Sequence, residues 1–228
     1  MFSRAAVCKC YLDHAEQFAD HAMFRSLEAG LADASSYDAL LRRVALTHLN
    51  CPQLIAFLKS VAPNAVADRL RLEFLDPLDA QRSGQDRPSS LETMLIAAGL
   101  GSELPDLHAQ AREAFARTVS DPAPYASLRD LGFAELVEAV AFEYLLDRMG
   151  RRISDFLQRR RGLPRPALSW FNRAGGSSRS AQGLNDILAY AECYRDDPSA
   201  AEPIVDRVLS ENVFVKRYFD WRALPAGR

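Results

Sequence analysis

The longest regular apolar pattern in the chain covers residues 131–161, LGFAELVEAVAFEYLLDRMGRRISDFLQRRR. Its apolar residues recur three and four positions apart, which is the period of an α-helix with one buried face. Arginines crowd the last turn and Gly162 follows, and both features are typical of a helix C-terminus. The stretch therefore predicts one long amphipathic helix, and it favours a helical fold for the chain.

Helical periodicity continues outward in both directions, and no segment shows the sustained alternation of a β-strand. The upstream pattern predicts helices over about 5–29, 36–58, 64–76, 90–99 and 107–119. Pro52 predicts a kink or a break in the second of these, and Ser89 or Ser90 predicts the N-cap of the fourth. Downstream, after an interruption at 175–178, helices are expected to about 194 and over about 198–218. The prediction is a single all-α domain over residues 1–228, a bundle of seven to nine helices.

Composition and charge exclude several classes of protein. Of the 228 residues, 48% are hydrophobic and 25% are charged, which is the balance of an ordinary globular protein and excludes disorder over most of the chain. The net charge of −2 offers no electrostatic footprint for nucleic acid. No apolar run approaches the roughly 18 to 20 residues that cross a bilayer, and the four cysteines include no C-x-x-C pair. We therefore expect a cytoplasmic protein with neither a nucleic-acid nor a membrane partner.

Two glutamates fall on the apolar stripes of their helices. Glu73 lies seven residues after Val66 in the third predicted helix, and Glu143 lies seven residues after Leu136 in the long one. Burial disfavours a charged carboxylate, so an inward glutamate needs a partner. Two such glutamates on different helices of a bundle indicate a metal site or a polar pocket. The alternative is that one or both rotate outward or pair with neighbouring arginines.

A motif of the form H-x-x-F-x-x-L-x-x-G begins at His21, within residues 20–63. This segment resembles the opening of the heme-oxygenase-like helical proteins, which include thiaminase II, pyrroloquinoline-quinone synthase and the heme-oxygenase-like diiron oxidases. NAVADRLRLEFLDPL and AVAFEYLLDRMG resemble the regions that carry two glutamate ligands in the diiron members, and those ligands would be Glu73 and Glu143. The resemblance implies a heme-oxygenase-like fold and a setting in small-molecule biosynthesis.

The sequence departs from the diiron pattern in the next helix. Diiron members typically carry H-x-x-x-D-x-x-H after an aromatic pair, and here Trp170 and Phe171 match that pair. The ligand positions would be Ala174, Ser178 and Ala181. Alanine has no donor atom and a neutral serine hydroxyl is a poor iron ligand. The resemblance therefore implies a degenerate metal site, with no metal and no other cofactor, unless residues 175–178 are a simple loop that does not correspond to that helix.

The leading functional expectation is a metal-free protein that binds either a small molecule in the old active-site cavity or an active paralogous protein. A homodimer is possible for such a protein. Members of this fold can also catalyse reactions without a metal, and then Glu73, Glu143 and His48 are the candidates for proton transfer in an enclosed pocket. Tyr144 and Trp170 are expected to line that pocket.

Two alternatives stay open. The first is an active non-heme iron oxygenase with a rearranged ligand set, in which Glu92 or Glu138 joins the three candidates above. The second is a structural or interaction role, with the pocket filled by side chains.

Other groups have simpler interpretations. Cys51 and Cys193 are interpreted as packing residues, and the arginines that crowd residues 148–165 are interpreted as a solvated helix end.

Overall fold

The computed structural model describes residues 3–68, 88–172, 176–194 and 198–219. In these ranges the chain is helical and contains no β-strand, so the all-α prediction is confirmed for them. The α-helices are α1 (Arg4–Asp20), α2 (Ala22–Ala29), α3 (Ala34–His48), α4 (Cys51–Val61), α5 (Ser90–Ala97), α6 (Leu104–Ser120), α7 (Leu128–Arg161), α8 (Gly176–Ala191), α9 (Pro198–Leu209) and α10 (Val213–Tyr218). Residues 64–68 are helical too, and 3-10 helices cover Gly101–Glu103, Arg165–Trp170 and Glu192–Tyr194.

The described ranges hold more helices than the seven to nine expected, because three predicted helices are divided. His21 has an extended backbone between α1 and α2, and its Nδ1 accepts the backbone N–H of Met23. Of the kink or break predicted at Pro52, the structure shows a break: α3 ends at His48 and α4 begins at Cys51. Pro52 lies in the first turn of α4, where its missing N–H leaves no hydrogen bond unmade. Asn212 caps α10 by accepting the backbone N–H groups of Phe214 and Val215.

The long helix α7 is the centre of the fold. It begins at a cap in which the hydroxyl of Ser127 accepts the N–H of Asp130, and it ends at Gly162, whose φ of 66° lies in the left-handed region. Helices α1, α2, α3, α4, α8, α9 and α10 all pack against it. The predicted C-terminal end at residue 161 is confirmed, because the arginines and the glycine that specify it act locally.

The core is one connected cluster of apolar side chains between α7 and the helices around it. Several of its largest members are fully buried aromatic residues: Tyr11, Phe18, Phe24, Phe133, Phe156, Tyr190, Phe214 and Tyr218. In the ranges that the structure describes, no helix is both long enough and apolar enough to cross a membrane.

Candidate functional site

His48 stands at the end of α3 among aromatic rings from three other elements. Its Nε2 shares a hydrogen bond of 2.7 Å with the hydroxyl of Tyr218 in α10. Its ring centroid lies 5.0 Å from that of Phe142 in α7 and 4.9 Å from that of Trp170 in the 3-10 helix Arg165–Trp170. We call these four residues, His48, Phe142, Trp170 and Tyr218, the His48 centre.

Local structure places each member of the His48 centre. Helix α3 buries an apolar stripe that includes Leu41 and Val44. His48 is the last residue of α3 and lies four residues after Val44, on the same side of the helix. Trp170 closes a 3-10 helix that begins with a proline in its first turn, and 3% of its surface is exposed. Tyr218 is held by the Asn212 cap of α10, whose amide also donates to the backbone oxygen of His14 over 2.8 Å.

The His48 centre combines an acid–base pair with apolar surfaces. An imidazole can donate or accept a proton near neutral pH, and a phenol hydroxyl can do either in a hydrogen bond. Apolar surroundings strengthen such a bond. The faces of aromatic rings also offer stacking surfaces for a planar molecule. The arrangement can therefore orient a planar ligand and exchange a proton with it.

Of the predicted catalytic residues, the structure places His48 in this centre. Glu143 follows Phe142 in α7 and is half-buried, whereas Leu136 and Val140 on its stripe are buried. Glu73 lies outside the described residues. The structure therefore brings His48 and Trp170 together, and it places Glu143 one residue from Phe142.

Of the three ligand positions that the resemblance implies, Ala174 also lies outside the described residues. Ser178 belongs to α8 through its backbone, and Ala181 is half-buried in the same helix. Helix α8 begins at Gly176, so the glycine and serine residues at 176–178 belong to a helix and are not a simple loop.

Tyr144 makes its contacts at a different seam, between α1 and α7. Its hydroxyl lies 3.1 Å from Sγ of Cys8, and its ring centroid is 5.3 Å from that of Tyr11. Burial, followed by the hydrogen bond with Cys8, raises the pKa of Tyr144 to about 12. In the described contacts Tyr144 thus belongs to the packing of α1 against α7.

The additional carboxylates of the iron alternative are engaged elsewhere. Oε1 of Glu92 lies 2.9 Å from Nε2 of His108, and its Oε2 accepts the backbone N–H of Ser89. Oε1 of Glu138 accepts from Nε of Arg217 over 2.6 Å. Among the described residues no group of three or more His, Cys, Asp or Glu side chains is arranged to hold a metal ion. The side chain of Ala181 has no atom that could bind a metal ion. The described residues therefore do not fit the H-x-x-x-D-x-x-H ligand pattern of the diiron members.

The remaining candidates differ in their surroundings. Cys51 is half-buried, whereas Cys193 is exposed and is therefore not a packing residue of the core. Arginines near the end of α7 bind groups of the protein itself: Arg152 forms two hydrogen bonds with Glu28, Arg160 donates to the backbone oxygen of Ala29, and Arg161 donates to Asp38. These contacts join the end of α7 to α2 and α3.

The sequence analysis did not single out three residues, two aromatic and one acidic, that lie in or near the core of the structure. Phe142 and Tyr218 complete the His48 centre. Asp186 in α8 is 1% exposed, and the amide of Gln182 donates to its Oδ1 over 3.4 Å. A signal for Asp186 was present, because it lies beside the buried Ile187 and four residues before the buried Tyr190 on one face of α8.

No family model, no curated protein and no solved structure matches this chain. Open depressions on the described surface include two that are lined by polar and charged side chains and by no member of the His48 centre. One is lined by Asp155, Gln158, Arg159 and Arg165, and the other by Asp13, Glu16, Gln17, Asp20 and His21. The His48 centre is the place in the described residues where an imidazole and a phenol hydroxyl meet among packed aromatic rings.

Proposed function

We propose that the protein binds an organic small molecule at the His48 centre without a metal. In this proposal the chain is a heme-oxygenase-like helical protein whose dimetal site has degenerated, and it serves a pathway of small-molecule biosynthesis. The observation that carries the proposal is the 2.7 Å hydrogen bond between His48 and Tyr218 inside a group of aromatic rings. That bond engages Nε2 of His48 with the phenol hydroxyl of Tyr218.

The surroundings of His48 indicate the class of ligand. Phe142, Trp170 and Tyr218 present aromatic faces, and the imidazole and the phenol provide polar groups between them. Ligand sites of this kind are mostly apolar and use a small number of polar groups to fix orientation. A planar molecule with one hydroxyl, carboxyl or carbonyl group suits these surfaces. If the protein also catalyses a reaction, His48 is the residue that would move the proton.

The first test is a binding screen by ligand-observed NMR with planar aromatic acids and phenols. We expect the wild-type protein to bind members of this panel and His48→Ala to lose that binding. His108→Ala is the matched control, since His108 lies in α6 and its Nε2 is 2.9 Å from Oε1 of Glu92. Equal binding by the wild type and His48→Ala would contradict the proposal.

Tyr218→Phe tests the hydroxyl separately from the ring. We expect it to weaken binding roughly fivefold, because about 1 kcal/mol is typical for one hydrogen bond. Tyr37→Phe is its control, since the Tyr37 hydroxyl donates to the backbone oxygen of Leu27 and does not contact His48. If both variants bind as tightly as the wild type, the phenol of Tyr218 has no part in the site.

Iron loading distinguishes this proposal from the iron oxygenase alternative. The wild type, His48→Ala, Glu73→Ala and Glu143→Ala are loaded with ferrous iron without air, desalted and analysed for bound metal. We expect substoichiometric iron in all four proteins. Stoichiometric iron in the wild type that disappears in the variants would overturn the metal-free proposal and favour the iron oxygenase.

A further inference from the structure

The chain turns at the end of α7 and brings two arginines to one surface depression. Gly162, whose φ is 66°, ends the helix, and the 3-10 helix Arg165–Trp170 begins three residues later. Nε of Arg165 donates to Oε1 of Gln158 over 3.4 Å, so the returning segment contacts the last turns of α7. The depression between them has a volume of about 440 Å³ and is lined by Asp155, Gln158, Arg159 and Arg165.

The arginines at this helix end differ in their partners. Arg161 donates to the carboxylate of Asp38. Arg159 donates through Nε to the backbone oxygen of Asp155 over 3.2 Å, and Arg165 donates through Nε to a neutral amide. In the part of the chain that the structure describes, neither Arg159 nor Arg165 forms an ion pair, and their terminal nitrogens make no hydrogen bond. Two guanidinium groups thus face the depression with donors that a ligand can use.

Two such guanidinium groups suit a doubly charged anion. A phosphate ester of one alcohol carries a charge of about −1.5 to −2 at pH 7. Its oxygens accept the paired N–H groups of a guanidinium, which match phosphate geometry. Asp155 is the one carboxylate among the lining residues, so the two positive charges of Arg159 and Arg165 exceed the negative charge. The amide nitrogen of Gln158 adds a neutral donor for an ester or hydroxyl oxygen.

We propose that this depression binds the phosphate group of a small, soluble phosphate monoester between Arg159 and Arg165. Its volume falls within the range of roughly 300 to 1,000 Å³ that is usual for small-molecule sites. All four lining side chains are polar or charged, which suits a polar ester and offers no surface for an acyl chain. No member of the His48 centre lines the depression, so this proposal does not depend on the proposed function.

Isothermal titration calorimetry of the full chain with glycerol 3-phosphate, at constant ionic strength, tests the site. We expect one molecule to bind per chain, and Arg159→Gln and Arg165→Gln each to weaken binding about tenfold or more, because each removes hydrogen bonds to a charged group. Arg151→Gln is the matched control, since Arg151 is an exposed arginine of the same helix that does not line the depression. It should change the affinity by less than about twofold, because salt screens exposed charges.

Asp155→Asn tests the sign of the ligand's charge. This variant removes a negative charge from the depression, so it should bind glycerol 3-phosphate at least as tightly as the wild type. Weaker binding would show that the carboxylate holds a cation and would overturn the anion assignment. Circular dichroism of every variant reports whether it is folded.

Three further outcomes would overturn the proposal. The first is a wild type that does not bind glycerol 3-phosphate. The second is an equal loss of affinity in Arg151→Gln, which would show general attraction to a basic surface. The third is binding to vesicles of phosphatidic acid and phosphatidylcholine that glycerol 3-phosphate does not displace, which would identify a lipid surface as the source of the phosphate. We expect inorganic phosphate to displace the ester and acetate at the same concentration to leave it bound.

Discussion

At the scale of single residues, the fold depends on glycines where the backbone of α7 meets a neighbouring segment. A Cβ added at Gly150 would overlap the backbone oxygen of Phe171, and one added at Gly132 would overlap the side chain of Val61. The two cases differ, because a side chain can rotate while a backbone oxygen is fixed by its own segment. Gly150 also positions the turn that follows Trp170, so this close contact supports one wall of the His48 centre.

We expect Gly150→Ala to lower the free energy of unfolding by about 1–3 kcal/mol, the usual range for an overpacked core. The reason is that Phe171 must shift and carry Trp170 with it. The measurement is urea denaturation followed by circular dichroism. Gly101→Ala is the control, since its added Cβ would meet Cγ1 of Ile96 at 3.4 Å, an ordinary contact. Identical midpoints for the two variants would contradict the prediction.

At the scale of elements, capping explains which short helices exist. Helix α5 has eight residues, and a capping box begins it: the hydroxyl of Ser89 accepts the N–H of Glu92, and the Glu92 carboxylate accepts the N–H of Ser89. His108 of α6 adds a hydrogen bond to the same carboxylate. Burial raises the pKa of Glu92, but the hydrogen bonds with Ser89 and His108 outweigh it, and the pKa is lowered overall.

Glu92→Gln should therefore destabilise the protein in a way that depends on pH. A carboxyl with a lowered pKa stabilises the fold above its ordinary pKa, and that contribution is lost as the pH falls through the lowered value. We expect a loss of about 1 kcal/mol near neutral pH, within the range of a helix cap, and almost none in strong acid. Thermal unfolding across pH measures this difference. Glu113→Gln, at an exposed position of α6, is the control. A loss of equal size at all pH values would count against the role of the charge.

At the scale of the whole molecule, one apolar cluster joins the helices around α7. Phe156 is fully buried within it, with ring centroids 5.7 Å from Phe24 of α2 and 6.1 Å from Tyr37 of α3. A second aromatic pair, Phe57 with Phe115, is half-buried between α4 and α6. Because this cluster is continuous, we expect the described residues to unfold together, and the single domain over residues 1–228 stays a prediction.

Phe156→Ala should lower the free energy of unfolding by about 3–5 kcal/mol, because it removes a buried ring and leaves a cavity. In the wild type and the variant, circular dichroism and tryptophan fluorescence should report one coincident transition, as expected for one cooperative unit. Phe115→Ala is the control and should cost clearly less, since its ring is half-buried. Two separated transitions in the wild type would show instead that the chain folds as more than one domain.

The sequence by itself determined the features that depend on near neighbours along the chain. The helical class, the C-terminal end of α7 and the cap of α5 at Ser89 follow from periodicity, a glycine and local hydrogen bonds. The break at His21 was missed, although its cause is also local, because helical periodicity runs through that residue and conceals the cap that its ring provides.

Tertiary structure alone decided which residues meet. His48 and Tyr218 are 170 positions apart, and periodicity places His48 one residue off the apolar stripe of its helix without naming a partner across the core. The same limit applies to Tyr144, which periodicity places inward but which the structure places against Cys8 and Tyr11. Helical spacing specifies the direction of a side chain around its own axis, whereas the site depends on how several axes pack together.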